Sequence, residues 1–199
     1  MGFALDMASV DGLNKDEALR RLGYVDTGRK TDRIGSDVAW AASKGRVVLV
    51  TRYGWLGPAR LAELSGGASL VAGRFETRVG ESHAWGYRNG VRIWSVLRTE
   101  ERLYDDQYGL TVDGAPPPEF AVIRDRLLAE RRAEIHEGDE PDEDLFDLPE
   151  ALVDALGGWT PEGEGSEDLQ FFVAAADGTA EPRYSGFISR LLKVFGRSR

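Results

Sequence analysis

The distribution of hydrophobic and polar positions is most informative between residues 74 and 98, where two strand-forming segments flank the dipeptide Asn89-Gly90. Asn and Gly tolerate the positive φ angles of a two-residue type I′ turn, so the pattern predicts a β-hairpin about this dipeptide. Counting outward from the turn places Trp85 directly opposite Trp94. Two facing indoles form a large cross-strand apolar contact, and we therefore expect this hairpin to lie at the centre of a mostly antiparallel sheet.

Further strands are predicted where short apolar runs are bounded by turn residues. The run 46–51 is nearly continuous in β-branched residues, which is typical of a central strand buried on both faces. Residues 26–37 are polar and contain Gly, and the pattern predicts a loop there. The remaining predicted strands are 3–10, 38–42, 69–72, 108–112 and 169–175.

Capping residues predict two short helices in the first half of the chain. Asn14 is a suitable N-cap with Glu17 three residues later, and Gly23 ends this first helix. Pro58 is a favourable first residue for a second helix, which closes at Gly66-Gly67.

The longest predicted helix covers residues 119–135, where the apolar residues recur at helical spacing on one face. A shorter helix ends at Leu156, and residues 187–195 form a basic amphipathic helix. Together the elements predict an α+β fold in a single domain, with a mostly antiparallel sheet, one long helix packed across it and a C-terminal amphipathic helix. We assign residues 1–158 to the α+β core, and residues 159–199 to an acidic Gly-rich loop, the last strand and the basic C-terminal helix.

Composition narrows the class of protein. The 199 residues suffice for one well-buried core, and the absence of Cys excludes disulfides, thiol catalysis and thiolate metal sites. The N-terminus lacks a basic region followed by a long apolar run, and no apolar stretch approaches the length of a membrane span. We therefore expect a cytoplasmic protein.

The net charge of −9 is distributed unevenly along the chain. Residues 137–181 contain fifteen acidic residues and no Lys, Arg or His, whereas residues 182–199 contain five basic residues and no acid. The first 136 residues are nearly neutral, with nineteen acids and twenty bases. Because phosphate binding needs a cationic surface, we expect no nucleic-acid partner.

Three motifs, taken in order, resemble a family of small uncharacterised bacterial proteins. They are Glu-x-Ser-x-Ala-x-x-x-x-Asn-Gly-x-x-x-Trp-Ser-Val (residues 81–96), Leu-Thr-Val-Asp-Gly-x-Pro-Pro-x-x-Phe (residues 110–120) and Phe-Asp-Leu-Pro (residues 146–149). The family is similar to the single-domain α+β proteins found among immunity proteins to polymorphic toxins. The resemblance implies a partner protein, such as a toxin, but no established activity. Its usual His-Asp pair after Trp-Ser-Val is replaced here by Leu97-Arg98.

Candidate catalytic and metal-binding residues are few. The segment 80–84 comes close to a nucleophile elbow, but Ser82 and His83 are neighbours on a predicted strand and should point to opposite faces. A zinc site would require His83 and His136 to converge with carboxylates. A calcium site formed by Asp139, Asp142, Asp144 and Asp147 lacks the Gly and the terminal Glu of a calcium loop. We therefore expect no metal or cofactor.

The leading hypothesis is a non-enzymatic binding protein of immunity type that occludes a partner protein. Carboxylates on such a protein can face a cationic cleft of the partner, which speeds the association of the two proteins and fixes their relative orientation. The predicted partner-binding residues are Asp139, Glu140, Asp142, Glu143 and Asp144, together with the aromatic residues Tyr53 and Trp55.

Three alternatives to this hypothesis remain open. The acidic segment can simply keep the protein soluble, and an enzyme could instead use a carboxylate-based pocket. The C-terminal basic helix, within residues 186–199, can dock on the core, on a partner or on a membrane surface. A membrane-surface adaptor is therefore the third alternative.

Overall fold

The computed structural model describes residues 4–31, 38–76, 78–99, 109–134, 145–158, 160 and 170–176. Within these ranges the chain forms nine strands and four helices. The strands are β1 (Ala4–Asp11), β2 (Tyr24–Thr31), β3 (Val38–Ser43), β4 (Arg46–Arg52), β5 (Ser69–Glu76), β6 (Glu81–Arg88), β7 (Val91–Arg98), β8 (Leu110–Gly114) and β9 (Phe171–Ala176). The helices are α1 (Lys15–Arg21), α2 (Pro58–Leu64), α3 (Glu119–Glu134) and α4 (Leu148–Gly157).

All nine strands belong to one antiparallel sheet, in the order β2-β9-β3-β4-β1-β5-β6-β7-β8. The predicted α+β class with a mostly antiparallel sheet is confirmed. β4 lies between β3 and β1, and its residues 47–51 are all buried, as the apolar run predicted. This apolar strand therefore lies inside the sheet, with a paired strand on each side.

Helices cover both faces of the sheet. Leu5 and Met7 of β1 belong to a core with α3 and α4, whereas Ala8 and Val10 belong to a core with α1 and α2. We call these the α3/α4 face and the α1/α2 face. Because side chains alternate along a strand, a strand that is apolar at both parities needs a helix layer on each side.

The long helix α3 packs mainly against helix α4, whereas the sequence predicted that it packs across the sheet. On the α3/α4 face, α4 packs against β5 and β6, and α3 packs against α4. Leu148, Leu152 and Val153 of α4 are fully buried, and Ile123 and Leu128 of α3 complete this core. The prediction of one long helix packed across the sheet is therefore not confirmed.

The β6–β7 hairpin has the predicted turn but a different register. Asn89 and Gly90 have φ angles of 52° and 82°, as a type I′ turn requires. Beyond the turn, Gly86 pairs with Trp94 and Trp85 pairs with Ser95, because Ile93 is an extra residue in a β-bulge. The predicted Trp85–Trp94 pair is thus wrong.

The bulge moves the two tryptophans to opposite faces of the sheet. Trp85 belongs to the core on the α1/α2 face, and Trp94 belongs to the core on the α3/α4 face. A one-residue slip reverses every later side chain in a strand, and no alternation in the sequence marks where it occurs. The hairpin consequently contributes one large aromatic residue to each core.

Strand β2 corrects a second prediction, because residues 26–31 were expected to form a loop. β2 lies at an edge of the sheet, pairs with β9, and exposes most of its side chains. Its register shifts between Asp26 and Lys30, where Gly28 has a φ of 68°. Backbone pairing therefore forms this strand without an apolar pattern, as edge strands permit.

The last described strand, β9, is hydrogen bonded between β2 and β3. β9 belongs to the second of the two predicted parts of the chain, residues 159–199. The division of the chain at residue 158 stays a prediction. The basic helix predicted for residues 187–195 lies outside the described residues. In the parts of the chain that the structure describes, no helix is both long and apolar enough to cross a bilayer.

Candidate functional site

A buried ion pair joins three elements on the α1/α2 face. Asp6 of β1 is fully buried, and its carboxylate accepts hydrogen bonds from Arg74 Nε at 2.7 Å and from Arg74 Nη2 at 3.0 Å. The backbone N–H of Leu56 also donates to Asp6, at 2.6 Å, and Arg74 Nη2 donates to the Leu56 carbonyl at 3.2 Å. We call this set of Asp6, Arg74 and the Leu56 backbone the Arg74 clasp. It fixes the loop between β4 and α2 to strands β1 and β5.

Aromatic rings surround the Arg74 clasp. The guanidinium carbon of Arg74 lies 5.2 Å from the centre of the Tyr53 ring and 5.6 Å from that of Trp85. The ring centres of Trp85 and His83 are 4.0 Å apart. Such cation–π contacts add to the ion pair where the guanidinium is partly desolvated. Tyr53 is 36% exposed and forms the surface end of this stack.

The Tyr53 hydroxyl and the His83 imidazole both have shifted proton affinities. Burial raises the pKa of Tyr53, and its hydrogen bond to Glu81 raises it further. Burial, with smaller contributions from Arg74 and Arg92, lowers the pKa of His83 from 6.5 to about 4. His83 is therefore neutral at pH 7. Its Nε2 is buried and has no hydrogen-bond partner among the described residues.

The arrangement of Ser82 and His83 excludes the serine–histidine pair that segment 80–84 suggested. Ser82 lies opposite Phe75 of the core on the α3/α4 face, whereas His83 lies on Trp85 of the other core. The prediction that these neighbours point to opposite faces, with His83 beside Trp85, is confirmed. The imidazole cannot activate that hydroxyl, because general-base catalysis requires hydrogen-bond reach.

The two predicted aromatic binding residues differ in burial. Trp55 is 6% exposed; its ring meets Tyr24 edge-on at 5.4 Å and lies 3.9 Å from the guanidinium carbon of Arg60. It packs in the core on the α1/α2 face and offers little surface to a partner. Tyr53, two residues earlier, is exposed.

The predicted acidic residues Asp139, Glu140, Asp142, Glu143 and Asp144 lie outside the described residues, as does His136. The chain is described again from Leu145, which is buried on the α3/α4 face. The next residue, Phe146, has its ring centre 4.8 Å from the guanidinium carbon of Arg98. Asp147 lies on the surface and pairs with Arg131 at 3.3 Å.

Through its contact with Phe146, Arg98 places the residues that follow the acidic segment at the end of the sheet that holds the β5–β6 turn. It is buried at the end of β7, pairs with Ser82 in the strand register, and donates to the Gly80 carbonyl at 2.6 Å. Strand register places Arg98, the β5–β6 turn and the end of β4 at this same end. Tyr53 directly follows β4, so Phe146 and Tyr53 lie at one end of the sheet, on opposite faces.

Asp6 and Arg74 were not among the site residues predicted from the sequence. Each interrupts an otherwise apolar strand, and charged residues are seldom fully buried unless they are paired. Two opposite charges within two apolar strands were the signal that could have identified the pair.

Two further observations limit what the site can bind or resemble. Among the described residues, no group of three or more His, Asp or Glu side chains is placed to hold a metal ion. Comparisons with known proteins find no match: no family model, no curated protein and no solved structure matches this chain.

Proposed function

We propose that this chain is a non-enzymatic binding protein of immunity type, which occludes a partner protein such as a toxin. The proposed binding residues are the acidic residues Asp139, Glu140, Asp142, Glu143 and Asp144, together with the exposed Tyr53. The observation that carries the proposal is the contact of Phe146 with Arg98, because it fixes the residues after the acidic segment at the end of the sheet where Tyr53 is exposed.

Charge and rigidity support this role for the two parts of the surface. Clustered carboxylates attract a cationic partner over a distance comparable to the Debye length and raise the rate of encounter. Tyr53 is an aromatic side chain whose ring rests on a guanidinium that is itself held by Asp6. An aromatic residue that is already ordered loses little conformational entropy on binding, which suits an interface anchor.

Two described carboxylates, Asp26 and Glu76, are held in ion pairs that count against their use as general acids. A hydrogen bond from Lys15 lowers the pKa of Asp26, and one from Arg78 lowers the pKa of Glu76. A general acid needs a raised pKa, so these two acids are held in the wrong state for that role. We also place the protein in the cytoplasm, since a chain without Cys suits a reducing compartment.

The test begins with capture of a partner from the host on the immobilised chain, followed by measurement of the Kd with purified components. The variant Asp139→Asn, Asp142→Asn, Glu143→Gln, Asp144→Asn should weaken binding about tenfold or more and reduce its salt dependence. A control with the same change in charge neutralises four exposed acids elsewhere, Asp113, Glu119, Asp125 and Glu130. Equal affinities for the acidic-segment variant and the wild type would contradict the proposal.

A further inference from the structure

His83 lies next to the Arg74 clasp without taking part in it. His83 and Arg74 are partners in the β5–β6 register and lie on the same face of the sheet. Both side chains approach the Trp85 ring. The Nε2 atom of His83 is buried, and no described residue forms a hydrogen bond with it. The imidazole therefore lies near charged groups, with its buried Nε2 unpaired among the described residues.

Burial and the ionisable groups around His83 disfavour a positive charge on it, because burial, Arg74 and Arg92 all lower its pKa. These groups are Asp6 of β1, Tyr53 of the loop before α2, Arg74 of β5, Glu81 of β6, Arg92 of β7 and Asp113 of β8. Asp6 is paired with Arg74, Asp113 with Arg92, and Glu81 with the Tyr53 hydroxyl. A proton on His83 would thus add a third cation beside two guanidiniums whose counter-ions are already engaged.

We propose that protonation of His83 at acidic pH opens the Arg74 clasp. A proton on the imidazole repels the neighbouring Arg74 guanidinium, and relief of that repulsion separates Arg74 from Asp6 and from the Leu56 carbonyl. The loop that carries Tyr53 then loses its attachment to β1 and β5. The opening itself needs no partner, and only its effect on partner binding rests on the proposed function.

The direction of the pH dependence follows from the proton affinity of the closed form. The closed form holds the pKa of His83 at about 4, whereas an opened, hydrated imidazole returns toward 6.5. The open form binds the proton more tightly, so opening becomes more favourable as the pH falls from 6.5 toward 4. Uptake of one proton raises the opening equilibrium by up to about tenfold per pH unit in this window.

The Leu56 amide reports on the clasp, because its N–H donates to Asp6. We would measure its hydrogen exchange by NMR at pH 6.5, 5.8 and 5.0 and correct for the intrinsic exchange rate. The amide of Val48, in the central strand β4, serves as the reporter of global unfolding. In wild type, the opening constant at Leu56 should rise about fifteenfold between pH 6.5 and pH 5.0, and that at Val48 should change much less.

Two histidine variants complete the experiment. His83→Gln should remove the pH dependence at Leu56, and His136→Gln should retain it. An unchanged slope in His83→Gln, or equal changes at Leu56 and Val48, would overturn the proposal. If His83→Gln does not fold, the imidazole titration of His83 is followed in His136→Gln. Support requires a midpoint below 6.5 together with a rise in Leu56 exchange over the same pH range, and any other result refutes the proposal.

Discussion

A single glycine, Gly86, determines where the Trp94 indole can lie. The two residues are opposite each other in the β6–β7 register, and a Cβ at position 86 would lie 2.1 Å from the indole nitrogen. The ring occupies the space that a side chain at position 86 would need. Trp94 can therefore enter the core on the α3/α4 face only because position 86 has no side chain.

Gly86→Ala should destabilise the protein by about 1–3 kcal/mol, because overpacking a rigid buried ring forces the backbone or the ring to move. Chemical denaturation measures the free energy of unfolding. The control is the same substitution in a Trp94→Leu background, where the clash is removed and the additional cost should be smaller by about 1 kcal/mol or more. Equal costs in both backgrounds would show that the ring is not the cause.

Asp6 is the second residue whose effect can be argued from its own contacts. It is fully buried, and Arg74 and the Leu56 amide both donate to it. Asp6→Asn keeps the shape but removes the charge that balances Arg74, and breaking a buried pair in this way typically costs about 3–5 kcal/mol. Asp125→Asn is the control, since Asp125 is 65% exposed and pairs with Arg124; its cost should stay below about 0.5 kcal/mol. Similar denaturation midpoints for the two variants would contradict a structural role for the clasp.

Between elements, Arg21 links the two helices of the α1/α2 face. Its Nη1 atom donates to the carbonyls of Leu64 at 3.2 Å and Gly66 at 2.5 Å, at the C-terminal end of α2. These carbonyls have no partner within the helix, and a positive charge there also interacts favourably with the helix dipole. One side chain of α1 thus caps α2.

Arg21→Ala should reduce the free energy of unfolding by about 1–2 kcal/mol, because buried carbonyls lose a charged donor. The adjacent Arg20 provides a matched control: its side chain is 68% exposed and pairs with Glu17. Arg20→Ala should cost only a few tenths of a kcal/mol. Thermal unfolding of both variants measures the two losses of stability. A larger loss for Arg20→Ala than for Arg21→Ala would show that capping is not the main role of Arg21.

The elements also show what can be read from the sequence. The run 46–51, the cap at Asn14 and the turn at Asn89-Gly90 are local signals, and all three predictions are confirmed. The β-bulge at Ile93 and the edge strand β2 depend on pairing with other strands, which a local pattern does not record. The same limit applies to the site: the Tyr53 ring contacts Arg74, which is bound by Asp6, a residue 68 positions away in the sequence.

For the molecule as a whole, β9 is the element that joins the end of the described chain to its beginning. It lies between β2 and β3, so among the described strands it alone pairs its backbone with β2. Phe171 packs in one core and Ala174 in the other. Phe172 stacks on Trp40, with ring centres 5.0 Å apart.

The position of β9 predicts that residues 1–158 do not form a stable unit alone. Burial of Phe171 and Val173 contributes roughly 1.5–3 kcal/mol each, and the exposed β3 edge adds lost backbone pairing. That sum is comparable to the total stability of a typical domain, about 5–15 kcal/mol, so a chain ending at Gly158 should lose cooperative unfolding. A chain ending at Ala176 retains β9 and should unfold cooperatively near the full-length midpoint. Circular dichroism melts of the three chains test this prediction. Cooperative unfolding of the 158-residue chain near the full-length midpoint would contradict it and show that residues 1–158 fold without β9.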